Sequence, residues 1–186
     1  MKTEQQYFEE SKLMKDYMDA MATHKEASFQ VYEQFELPAD GFAEKLAAAN
    51  VHILAITEDW CGDAMLNNPI VRKVAEAANV EVRTALRDAD TDLIDRHLTN
   101  GGRAIPIYLV LNEAGEVVAK WGPRAPEVQR YVDEGRAALP PKEDPNFEAA
   151  QKAFYAELTK RYAEDKQFWS FVYESFKKEI SAQLSL

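Results

Sequence analysis

The only cysteine of this 186-residue chain lies in the pentapeptide Trp60-Cys61-Gly62-Asp63-Ala64. Thiol–disulfide exchange begins when a thiolate attacks a disulfide sulfur, and a Cys-x-x-Cys pair releases its product by closing a ring with its second sulfur. Here Ala64 occupies the place of that second cysteine. Any redox chemistry must therefore run through one thiol, and a thiol from outside the chain would have to resolve the Cys61 adduct.

The segments around the cysteine are an apolar run before it and a proline after it. Residues 51–56 form an apolar run with the length of a buried strand. Pro69 follows Cys61 by eight residues, and a proline there would bend a helix if one begins at the pentapeptide. A cysteine in the first turn of a helix faces unpaired backbone N–H groups and the positive end of the helix dipole. Both effects favour the thiolate over the thiol.

Two later segments complete a recognisable order. Residues 102–106 read Gly-Arg-Ala-Ile-Pro and precede an apolar strand over residues 107–111. After a turn at residues 112–115, a strand over residues 117–120 runs into Trp121-Gly122. Together with the pentapeptide and Pro69, these features resemble the thioredoxin superfamily in both order and spacing, over about residues 51–138.

The resemblance implies a thioredoxin-like α/β fold, with a central mixed four-stranded sheet flanked by helices. It also implies that the Ile105–Pro106 bond is cis, which would expose the backbone of Ile105 to a bound peptide or thiol. Cys61 would be the catalytic residue. The implied motif and groove residues around it are Trp60, Gly62, Asp63, Ala64, Ile105, Pro106, Trp121 and Gly122. Thioredoxins carry a buried aspartate at the position of Ala55, and its absence here argues against dithiol reductase activity.

The remaining residues add helical arms to the core. We expect an amino-terminal helical arm over residues 1–38, a thioredoxin-like core over residues 39–138, and a linker with an aromatic-rich helical arm over residues 139–186, all within one compact domain. The aromatic stripe of the last arm allows two interpretations. Either it packs on the amino-terminal arm or the sheet, which we favour for helical spacing of this kind, or it forms a homodimer surface.

Charged residues near the cysteine act in opposite directions. Glu58, Asp59 and Asp63 would oppose ionisation of the thiol unless their carboxylates point away. Asp63 has two open roles, stabilising the helix start or taking part in catalysis. Three arginines from loops that converge on the site in this fold are candidate charge partners: Arg87, Arg103 and Arg124.

Composition excludes several classes of function. Thirty-two acidic and 22 basic residues give a net charge of −10, so we expect no nucleic-acid partner and no anionic membrane partner. Residues 1–10 lack an apolar stretch of signal-peptide length, and no run approaches the ~20 apolar residues that span a bilayer. A cytoplasmic location follows, and a lone cysteine fits a reducing compartment. His24, His52 and His97 lack ligand spacing, so we expect no metal site.

Two functions remain in view. In the first, Cys61 exchanges with a disulfide or mixed-disulfide substrate on a protein or small thiol, and a low-molecular-weight thiol is the co-substrate that resolves the adduct. This monothiol exchange needs a depressed Cys61 pKa and no other cofactor. In the second, the groove binds a peptide or partner without turnover, and the thiol is ordinary. We favour the first because the Trp-Cys-Gly triplet, Pro69 and the proline loop are all present; fold alone would not decide.

Overall fold

The computed structural model describes residues 1–186, which form five strands and nine helices. The strands are β1 (Lys12–Leu13), β2 (His52–Thr57), β3 (Val82–Leu86), β4 (Ile107–Leu111) and β5 (Val117–Trp121). The helices are α1 (Glu4–Glu10), α2 (Met14–Asp19), α3 (Lys25–Gln34), α4 (Phe42–Ala48), α5 (Gly62–Ala78), α6 (Thr91–Asp95), α7 (Pro126–Ala137), α8 (Phe147–Glu164) and α9 (Lys166–Leu184). The strands form one mixed sheet in the order β1-β3-β2-β4-β5.

The two central strands are buried on both faces of the sheet. Successive side chains of a strand point to opposite faces. Ile53 and Ala55 of β2 accordingly join a large apolar cluster, while Leu54 and Ile56 join a smaller one. Residues from α2, α3, α4, α5, α7, α8 and α9 complete the larger cluster, and residues from α1 and α6 contribute to the smaller. Burial on both faces explains why continuous apolar runs, rather than alternating ones, encode β2 and β4.

The sheet has five strands, so the expected number of four is wrong. The additional strand, β1, pairs antiparallel with β3 through Lys12↔Thr84 and Leu13↔Arg83. Two residues are too few for an alternating pattern to reveal a strand. The amino-terminal arm, expected to be helical over residues 1–38, therefore includes a short strand, and α2 begins one residue after Leu13.

Helix α5 carries the pentapeptide at its start. Cys61 is the residue before its first turn, with an extended backbone, and Pro69 lies within the helix as expected. The helix ends at Ala78, and the next residue, Asn79, adopts the left-handed conformation that commonly stops a helix. Most of its side chains are buried because α5 packs against α3, α4, α8 and α9.

The aromatic residues of the carboxy-terminal arm pack inside the chain. Trp169, Tyr173 and Phe176 are almost fully buried in the larger cluster. The Phe176 ring meets the Trp121 ring of β5 edge to face, with 5.6 Å between the centroids. These aromatic side chains therefore pack on the sheet of their own chain, which is the first of the two interpretations of the stripe.

Helix α9 also covers the outer edge of the sheet. The backbone N–H of Lys120 in β5 donates to Oε1 of Gln183 at 2.8 Å. Nε2 of Gln183 donates in return to the Lys120 carbonyl at 2.9 Å. One side-chain amide thus takes the place of a neighbouring strand at this point of the edge.

Removing the Phe176 ring should show that the arm belongs to the folded core. Phe176→Ala empties a fully buried site between Trp121, Tyr108 and Phe42. We expect the free energy of unfolding in urea to fall by about 3–5 kcal/mol. Tyr155→Ala, which removes a more exposed ring from α8, should cost less than about 1 kcal/mol. An equal loss of unfolding free energy in the two variants would show that the stability of the arm does not depend on the packing of Phe176.

Candidate functional site

Sheet topology brings the cysteine and the proline loop together. β2 and β4 are antiparallel neighbours, with Ile56 paired to Ile107, so the loop after β2 and the loop before β4 lie at the same end of the sheet. Sγ of Cys61 lies 3.6 Å from the carbonyl oxygen of Ile105, within reach of a weak S–H hydrogen bond. The Ile105–Pro106 peptide bond is cis, as the resemblance implied.

The residues expected to form a groove beside Cys61 include one exposed aromatic ring and one backbone donor without a partner in the chain. Trp60 is 48% exposed, and the Arg87 guanidinium lies over its ring at 5.0 Å from the centroid. The backbone N–H of Ile105 makes no hydrogen bond within the chain. Gly62 has open space beside its Cα atom. A ligand carbonyl could therefore pair with Ile105 while an apolar group packs on Trp60.

Gly122 lies in the groove wall, whereas the side chain of Trp121 does not. A Cβ atom on Gly122 would lie 2.3 Å from the Pro106 carbonyl oxygen, and its φ of +126° also favours glycine. Trp121 is buried in the core, stacked on Tyr108 and hydrogen-bonded through its indole N–H to Ser175. Of this predicted pair, only the glycine borders the proline loop.

The environment of Cys61 opposes its ionisation. The residue is 9% exposed. Burial, followed by the nearby Asp63 carboxylate, raises the pKa of the thiol to about 11. The backbone N–H groups of Ala64 and Asp63 and the Arg124 guanidinium favour the thiolate, but their effect on the pKa is smaller. The direction is opposite to the one that monothiol exchange requires.

Asp63 joins the start of α5 to two other parts of the chain. Arg124, in the loop after β5, donates from Nε to Oδ1 at 2.9 Å and places Nη2 2.7 Å from Oδ2. The hydroxyl of Tyr162 in α8 donates to Oδ1 at 2.7 Å. The Asp63 and Arg124 side chains are only 13% and 16% exposed, so this is a largely buried pair. Asp63 is therefore a structural anchor, and Arg124 is its charge partner.

The other predicted charges are engaged elsewhere. Arg103 pairs with Asp95, and Arg87 pairs with Asp88 and donates to the Arg103 carbonyl. Among the upstream carboxylates, Glu58 accepts the backbone N–H of Asp88. Asp59 accepts the backbone N–H groups of Ala22 and Thr23. The main influences on the pKa of Cys61 therefore do not include Arg87, Arg103, Glu58 or Asp59.

A buried polar network behind the cysteine was not predicted. Tyr108 of β4 donates to Oδ1 of Asn68 at 2.5 Å, and Nδ2 of Asn68 donates to Oγ1 of Thr57 at 3.1 Å. Ala55 and Ala64, at the positions of the missing aspartate and second cysteine, are fully buried. The sequence contains one indication of this network, the adjacent Asn67 and Asn68 within the mostly apolar helix α5. Polar groups buried in a core require hydrogen-bond partners, so such a pair predicts polar neighbours.

The structure was expected to contain neither a metal site nor a membrane-spanning helix, and the side chains and helices give the following. No group of three or more His, Cys, Asp or Glu side chains is arranged to hold a metal ion. None of the helices combines the length and the apolar composition of a membrane span.

Fold and site together define a thioredoxin-like protein with a single cysteine at the start of a proline-containing helix and a cis-proline loop opposite. A family model described as thioredoxin matches residues 11–137. The chain belongs to this family. The match includes the site and both flanks of the sheet, and it ends before α8 and α9. No curated protein matches the chain.

Solved structures share the fold over nearly the whole chain. A protein of unknown function from Pseudomonas aeruginosa is 20% identical with a TM-score of 0.66, covering 98% of this chain and 99% of that one. An HIV epitope scaffold is 18% identical with a TM-score of 0.58, covering 92% of this chain and 98% of that one. Because both matches extend beyond residue 137, the helical additions belong to the shared architecture.

Neutralising Asp63 should lower the pKa of Cys61. Asp63→Asn removes the charge that disfavours the thiolate and leaves the Arg124 guanidinium to attract it. We expect the iodoacetamide alkylation rate at pH 8 to rise by about tenfold, equivalent to a fall of about one pKa unit. In the native protein the rate should keep rising up to about pH 11.

Glu58→Gln is the matched control, because this upstream carboxylate is not among the main influences on the cysteine. Its alkylation profile should overlay that of the native protein. An unchanged profile in Asp63→Asn would show that the carboxylate has no electrostatic effect on the sulfur. Circular dichroism on both variants checks that the fold is intact.

Proposed function

We propose that this protein is a thioredoxin-fold binding module whose groove holds an extended peptide segment of a partner, with Cys61 present as a thiol. The groove is formed by Trp60, the Ile105–Pro106 loop and Gly122. The unpaired N–H of Ile105 supports backbone pairing with the segment, and the half-exposed Trp60 ring supports apolar packing.

The state of Cys61 carries this proposal. Burial beside the Asp63 carboxylate raises the pKa of Cys61 to about 11, so its thiol is ionised at pH 7 far less often than a free cysteine. A free cysteine, with a pKa near 8.5, is about 3% ionised at the same pH. The thiolate is the attacking species in disulfide exchange. Binding therefore fits the geometry better than turnover does.

Monothiol exchange is the second candidate, and one observation favours it. The backbone N–H groups of Asp63 and Ala64 point toward the sulfur and favour its charged form. In this scheme the Cys61 thiolate attacks a mixed disulfide, the substrate leaves as a thiolate, and a second small thiol attacks the Cys61 adduct. A ligand that displaced Asp63 from the sulfur would help the first step.

Binding should survive loss of the sulfur and fail without the aromatic wall. Peptides selected from a random library on the immobilised protein would be labelled and measured by fluorescence anisotropy. We expect Cys61→Ser to bind within about threefold of the native protein, and Trp60→Ala to bind at least about tenfold more weakly. Tyr155→Ala, which removes a comparably exposed aromatic ring on α8, is the control and should bind normally.

Two results would contradict the binding proposal. One is a Trp60→Ala variant that binds the peptide as tightly as the native protein does, and the other is a library selection that yields no peptide. Exchange is tested separately by mass spectrometry after incubation with oxidised glutathione. We expect no adduct on Cys61 at pH 7, and dithiol-driven insulin reduction near background. Rapid adduct formation would favour the second candidate.

A further inference from the structure

A cavity of about 550 Å³ at the carboxyl end of β3 has no role in the site described above. Its floor is formed by the last three residues of β3, Thr84, Ala85 and Leu86. Its walls come from α1 and from the segment around α2, with Tyr7, Tyr17 and Met21 facing it. The volume lies within the range of sites for small organic ligands, about 300–1,000 Å³.

Carboxylates outnumber ammonium groups around this cavity. Glu10, Glu58, Asp59 and Asp90 line it together with Lys2 and Lys12. Lys2 is paired with Glu10 at 2.5 Å. Both oxygens of Asp90 accept hydrogen bonds, and Lys2 and Arg96 lie near its charge. Glu58 and Asp59 therefore remain opposite Lys12, which forms no ion pair, and the cavity favours a cation.

Glu58 and Asp59 are held in place with one oxygen free on each. Oε1 of Glu58 accepts the Asp88 N–H, and Oδ2 of Asp59 accepts two backbone N–H groups. Neither Oε2 of Glu58 nor Oδ1 of Asp59 accepts a hydrogen bond from the chain. Both residues are half-buried, so a donor that reached them would be partly shielded from water.

Tyr17 adds a second, independent indication of a ligand. It lines the cavity and is 8% exposed. Its hydroxyl lies near the Thr57 side chain and the Glu58 and Asp59 carboxylates, and it makes no hydrogen bond of ordinary geometry. Buried polar groups in native proteins almost always have a partner. The hydroxyl and the two free carboxylate oxygens together form an unsatisfied polar set next to an apolar floor.

We propose that this cavity binds a small organic ammonium ion with an aromatic or apolar body. The body would pack on Leu86, Met21 and the tyrosine rings, and the ammonium group would donate to Glu58 and Asp59. A metal ion is a poorer occupant, since these carboxylates do not converge as a ligand set. The site is separate from the Cys61 groove, and the proposal does not depend on the function of that groove.

The test compares three probes of similar size on the full chain: 2-phenylethylamine, 2-phenylethanol and phenylacetate. Titration calorimetry at pH 7 and low salt should show the amine binding at least about tenfold more tightly than the alcohol, with phenylacetate weakest. Added salt should weaken the amine alone. Equal binding of all three probes, or no binding of the amine at about 10 mM, would overturn the proposal.

Variants locate the binding to this cavity. Glu58→Gln combined with Asp59→Asn should weaken the amine by at least about tenfold. Asp92→Asn, which removes a nearby carboxylate that does not line the cavity, should change affinity by less than about twofold. If the double variant melts early, Glu58→Gln alone serves, because that side chain accepts only one backbone N–H. Unchanged amine affinity in a folded Glu58→Gln variant would place binding elsewhere and overturn the assignment.

Discussion

The Asp63 carboxylate is the contact through which helix α5, the loop after β5 and helix α8 are held together. A largely buried carboxylate requires a counter-charge and hydrogen-bond donors, and Arg124 and Tyr162 supply both. The same negative charge lies beside Cys61 and helps to raise the pKa of its thiol. One residue thus fixes the carboxy-terminal arm behind the site and restrains the chemistry of the sulfur.

Magnitudes explain why the helix start does not activate this cysteine. A helix N-terminus contributes up to about 2 kcal/mol to a partly buried charge. One pKa unit corresponds to about 1.4 kcal/mol. The helix can therefore offset about 1.5 pKa units at most, and burial with Asp63 nearby outweighs it at Cys61. Ala64 and Ala55 stand where the thioredoxin pattern has the second cysteine and the buried aspartate, so neither group is present to assist the sulfur.

Much of the fold could be predicted from the sequence because its signals are local. Apolar runs mark β2 and β4, Pro69 and the pentapeptide mark α5, and order along the chain places Cys61 opposite Pro106. The rest depends on tertiary packing. Groups distant in sequence, such as Tyr162 and Ile105, determine which carboxylate lies near the sulfur of Cys61. They also determine how deeply that sulfur is buried. Strand β1 was too short to leave a pattern.

Gln183 has a consequence for how this molecule can associate. A bare edge strand is a template on which another chain can extend the sheet, as in fibril growth and strand exchange. At Lys120 both backbone groups are already paired with a side-chain amide from the last helix. An incoming strand would first have to displace α9 from β5 at this point. Extension of the sheet along this edge therefore competes with the packing of the chain's own last helix.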